Sequence, residues 1–163
     1  MQQLEMIDKL RIHASADDRV SAVLMYGSFT KGEGDHYSDI EFYIFLREGC
    51  EINKKEWASH IRPIEMFFTN EFGTDVAVFD NLIRGEFHFH PVSNIGVIHT
   101  WQGRLDFSVR NKMNLVDKEG LLTDTLNSIE QIRPECNTSE TITLLADSLI
   151  NNLLFVGNVI RRG

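Results

Sequence analysis

Two apolar runs joined by a short polar loop set the strongest constraint on this chain. Ala22 to Tyr26 is almost wholly apolar and ends abruptly at Gly27-Ser28, and Asp39-Ile40-Glu41 then opens a second run, Phe42 to Leu46. Runs of this length bounded by turn residues read as buried strands. Asp39 and Glu41 stand two apart, so on a strand both side chains leave one face while Ile40 enters the core. Neighbouring carboxylates repel, and burying them is costly without a cation between them. Gly27 has no Cβ and lets the backbone approach a ligand closely. Ser28 adds a hydroxyl and opens a short helix whose N–H groups face an anion. A phosphate cradle closing one strand and hard oxygen donors opening the next point to Mg²⁺ and a nucleoside triphosphate.

The remaining pattern supplies a sheet to carry these two strands. Leu4, Ile7 and Leu10 have helical spacing. Lys54 to His60 reads as a helix stopped near Pro63. Ile64 to Thr69, Thr74 to Phe79 and Ile83 to His90 read as three further strands, whose short connections favour antiparallel neighbours. Val92 to Trp101 reads as a short helix capped by Ser93, Gln102 to Lys112 as loop, Asn114 to Asp117 as a late strand, and Lys118 to Ile132 as a helix. Asn137 then caps a last helix with an apolar stripe at Ile142, Leu145, Leu149, Leu153, Val156 and Ile160. That stripe needs a partner, which a second copy of the chain, as in a homodimer, would supply. The expected class is α/β (α+β), with a mixed sheet of about five strands backed by helices. Phe42, Tyr43, Phe45, Phe67 and Phe68 are expected in the core.

A third acid lies in Arg84-Gly85-Glu86-Phe87-His88-Phe89-His90, which alternates polar and aromatic as a half-buried strand does. Glu86, His88 and His90 share one face, and Phe87 and Phe89 the other. Glu86 is the candidate general base and a further metal ligand, and His88 a candidate contact for an acceptor. Glu-x-His-x-His has the spacing for zinc on one strand face but lacks a fourth ligand. Lys31 and Arg84 are candidate phosphate contacts beside Gly27 and Ser28, and Asp35 is expected to shape the loop.

Charge narrows the partners. With 16 basic and 24 acidic residues the net charge is −8, which lacks the basic stripe a nucleic-acid-binding face requires. The acceptor is therefore expected to be small. Cys50 and Cys136 have no zinc spacing and read as reduced thiols of a cytoplasmic protein. No apolar run approaches membrane-spanning length.

Gly27-Ser28 followed by Asp39-Ile40-Glu41 resembles the Gly-Ser, loop, Asp-x-Asp/Glu pattern of the polymerase β-like nucleotidyltransferases. Met25 to Asp35, Tyr37 to Phe45, Asn70 to Thr74 and Asp80 to Phe89 are together similar to the larger lincosamide nucleotidyltransferases. The resemblance implies a catalytic domain over 1–136 and the start of a helical C-terminal domain over 137–163, cut short. It implies Mg²⁺-dependent transfer of AMP or another nucleoside monophosphate from its triphosphate to a hydroxyl of lincomycin or clindamycin, with two metal ions held by Asp39, Glu41 and Glu86. An aminoglycoside acceptor, or a nucleotide-binding domain without turnover, is the alternative.

Overall fold

The computed structural model describes residues 1–130 and 139–162. Its centre is a six-stranded mixed sheet built from β1 (Val20–Tyr26), β2 (Ile40–Leu46), β3 (Ile64–Thr69), β4 (Asp75–Phe79), β5 (Arg84–Pro91) and β6 (Asn114–Asp117). The strand order is β3-β4-β5-β2-β1-β6. All pairs are antiparallel except β2 with β5, which run parallel. The expected antiparallel set β3, β4 and β5 is present, and the late strand at Asn114 becomes the sixth member.

Among the described residues six α-helices accompany the sheet: α1 (Gln2–Ala16), α2 (Ser28–Lys31), α3 (Lys54–Ser59), α4 (Arg110–Met113), α5 (Leu121–Ser128) and α6 (Ser139–Arg162). One sheet face packs Val23, Ile40, Phe42, Ile44 and Phe87 against Met6 and Leu10 of α1 and Trp57 of α3. The other packs Ala22, Leu24 and Phe45 against Ile98, Met113, Leu122 and Leu126. Burying a side chain of this size contributes about 1.5–3 kcal/mol, so both layers fix the orientation of β1 and β2. On the first face α1 is also tied to α3 by its C-cap Asp17, whose carboxylate accepts from Arg19 and from Trp57 Nε1. Chiefly through Arg19, its carboxyl is held down to about 2.

Several local expectations change. Val92–Trp101 is a 3-10 helix entered from Pro91, with no side-chain cap. Ser93 does not cap it, because the helix starts one residue earlier, at Val92, and leaves Ser93 in its first turn, where its N–H donates to Glu48. Gln102 to Lys112 is only partly loop: it contains a 3-10 turn at Phe107–Val109 and the first part of α4. The helix expected to reach Ile132 ends at Ser128, where the backbone turns extended at Ile129. Phe68 is 44% exposed rather than core, because β3 is an edge strand. The Asn137 cap and the 136/137 domain division lie outside the described residues. Along α6 the stripe residues Ile142, Leu145, Leu149, Leu153, Val156 and Ile160 are each more than half exposed. Among the described helices none is long and apolar enough to cross a membrane.

Candidate active site

The sheet register assembles the three acids. In the antiparallel β1–β2 pair, Tyr26 faces Glu41, which sets Glu41 beside the Gly27-Ser28 bend. In the parallel β2–β5 pair, Glu41 faces Glu86 and Tyr43 faces His88. The same register places Phe42 opposite Phe87, and both are fully buried on the opposite face. Period-two alternation therefore sends Glu41, Tyr43, Glu86 and His88 to one surface. Asp39, just before β2, joins them through Arg84: Arg84 Nη1 donates to Asp39 Oδ2 at 2.8 Å, and Nη2 donates to Glu86 Oε1.

Gly27 makes the close approach of Glu41 feasible. Its φ of +83° and ψ of −158° lie in a region that residues with a Cβ avoid. A Cβ there would lie 2.7 Å from Glu41 Cδ and closer still to Oε2. Ser28 follows at the start of α2, with its hydroxyl oxygen buried and without a hydrogen-bond partner among the described residues. Lys31, at the end of α2, is exposed, and its charge acts on Glu41. Asp35 does shape the loop, accepting from the Tyr37 N–H and the Ser38 hydroxyl.

The acids are undercompensated. Burial, then the charges of Asp39 and Glu86, push the Glu41 carboxyl up to about 7. Arg84, expected as a phosphate contact, is instead the internal counter-ion of Asp39 and Glu86. Among the described residues no three His, Cys, Asp or Glu side chains form a ready-made cation cage. The donor set nevertheless suits a hard divalent cation: the donors are carboxylate oxygens, and among the described residues no cationic side chain forms an ion pair with Glu41.

A cleft of about 350 Å³ opens on the far side of Glu86. Tyr26, Tyr43 and Trp101 form its aromatic wall, with Glu86, His88 and Arg104 as its polar groups. The Tyr26 hydroxyl donates to Glu86 Oε2 at 3.3 Å and lies 3.1 Å from His88 Nε2. Burial raises the Tyr26 hydroxyl pKa, so it stays a donor. His88 stacks flat on Tyr43 with centroids 4.0 Å apart, and burial lowers its pKa. Phe72, in the turn whose Thr74 N–H donates to Asn70 Oδ1, stands at the rim.

Gly27, Ser28, Lys31, Asp39, Glu41, Arg84, Glu86 and His88 thus lie in one region of the sheet surface. Tyr43, expected in the core, belongs to the cleft; its position two residues after Glu41 already put it on that face. Tyr26, Trp101 and Arg104 were not singled out by sequence. No protein-family model and no curated protein sequence matches this chain.

Proposed function

We propose that this protein is a nucleotidyltransferase with a polymerase β-like core, transferring a nucleoside monophosphate from a triphosphate to a hydroxyl of a small acceptor. The observation that carries this reading is the seating of Glu41 against Gly27, with Glu86 in register opposite it. Acids able to take divalent cations and the glycine–serine bend are then immediate neighbours. Asp39, Glu41 and Glu86 would hold Mg²⁺, which when bound supplies charge neutralisation at the phosphates. Gly27 and Ser28 receive the triphosphate tail, and the orphaned Ser28 hydroxyl gains a partner.

The acceptor enters the aromatic cleft, which shares Glu86 with the acid cluster. Glu86 accepts the proton of the attacking hydroxyl, while Tyr26 holds its second oxygen in place. As the acceptor oxygen bonds to the α-phosphorus, the bond to pyrophosphate breaks. Stacking surfaces suit a compact, partly apolar acceptor, so a lincosamide fits better than a polycationic aminoglycoside. The test is mass spectrometry of clindamycin incubated with the protein, ATP and MgCl₂. The expected result is the drug plus one nucleoside monophosphate; unmodified drug alongside modified aminoglycoside would reassign the acceptor, and no adduct with either would refute transfer.

A further inference from the structure

The Gly27-Ser28 bend closes β1, which has a neighbour strand on each side. β2 brings Glu41 alongside from one side. On the other side β1 pairs with β6, and the antiparallel register runs as far as Leu24 opposite Asn114. The residues just before Asn114 therefore run past the end of β1, toward the bend. They form α4, whose Met113 anchors in the core while Lys112 is exposed. The Lys112 ammonium reaches the end of α2, the helix that the bend opens, where it lies 3.9 Å from the position a Cβ on Gly32 would take. Lys112 makes no hydrogen bond or ion pair with any described residue. Two features without a partner among the described residues, the buried Ser28 hydroxyl at the start of α2 and the Lys112 ammonium beside Gly32 at its end, thus stand at the two ends of one short helix.

We infer that Lys112 is a binding residue for the terminal phosphate of a nucleoside triphosphate, gripping it across the bend from the carboxylates. This rests on the nucleotidyltransferase reading and adds a residue from a separate element to it. A triphosphate tail carries several negative charges, and cations bound by the acids meet it at one end only. The other end must pass Ser28 and come within reach of Lys31 and Lys112. Ammonium-to-phosphate contacts are charge-assisted and among the stronger hydrogen bonds. Because Lys112 is exposed and touches no acid, its removal leaves the fold intact. It also discriminates by chain length: a triphosphate reaches it, whereas a monophosphate held at the acids does not.

The experiment is calorimetric titration of the whole chain with ATP and with AMP, each in MgCl₂, for the unaltered protein, Lys112→Ala, Lys112→Arg and the distant surface variant Lys55→Ala. Lys112→Ala should weaken ATP about 10- to 100-fold and leave AMP unchanged. Lys112→Arg should restore most of the loss, and Lys55→Ala should change nothing. Equal weakening of ATP and AMP, or unchanged ATP affinity in Lys112→Ala, overturns the assignment of Lys112 while leaving the site reading intact. Failure of the unaltered protein to bind ATP at all overturns both together. Inorganic tripolyphosphate, which lacks base and sugar, should compete with ATP in the unaltered protein and about 10-fold less well in Lys112→Ala.

Discussion

Gly27→Ala is expected to abolish nucleotide transfer while leaving a folded, less stable protein. Two independent penalties meet at this residue. The first is conformational: φ +83° with ψ −158° is accessible to glycine and strained for alanine, at a cost of about 1–3 kcal/mol. The second is steric: the new methyl would lie 2.7 Å from Glu41 Cδ and nearer to its Oε2, so the carboxylate must leave. Glu41 cannot retreat along the sheet, because Ile40 and Phe42 on either side of it are buried and its strand is held by both β1 and β5. The melting temperature should fall by roughly 2–12 °C, and transfer by at least about 100-fold, the scale of losing positioned catalytic groups. A thermal melt and a transfer assay on the same sample check both; an unchanged rate would separate the bend from the chemistry.

Glu86→Gln should lower turnover by about 10²- to 10⁴-fold, the range general acid–base groups contribute. Apparent affinity for the triphosphate should change little by comparison. The substitution preserves shape and can still accept from the Tyr26 hydroxyl at 3.3 Å, so the cleft wall stays in place. What it removes is the capacity to take a proton, together with one arm of the Arg84 bridge. Steady-state kinetics divides these effects: a fall in kcat at near-constant triphosphate KM marks the base, whereas a rise in KM alone would make Glu86 a binding residue.

Much of this arrangement is legible in local sequence, because alternation is a local property. Asp39, Ile40, Glu41 and Phe42 announce which face each occupies, and Ile40 and Phe42 are indeed buried. The same holds for Glu86 and Phe87 on β5. Their juxtaposition is another matter. Placing Glu86 opposite Glu41 requires a parallel pairing across 45 residues, and no turn fixes that register. Arg84 shows the same limit. Its charge suggests a phosphate contact, yet the folded chain sets Asp39 and Glu86 within hydrogen-bonding reach of it. Tyr43 has the aromatic character of a core residue, yet its spacing of two from Glu41 puts it on the cleft face. Trp101 closes the expected helix and Arg104 lies in the stretch read as loop, so only the folded chain brings them to the cleft. Ser93 illustrates a shifted start: the helix begins at Val92 after Pro91, so a residue suited to capping falls inside the first turn and Glu48 accepts its N–H instead.

At the centre of the account are acids from β2 and β5 meeting beside the Gly27-Ser28 bend to take a metal-bound triphosphate. Calorimetric titration of ATP into the unaltered protein and into Glu41→Gln, each with MgCl₂ and with EDTA, tests this most directly. Saturable binding by the unaltered protein in MgCl₂, lost in EDTA and lost in Glu41→Gln, is the predicted result. Binding that persists equally in EDTA and in Glu41→Gln, or no binding under any condition, would contradict it.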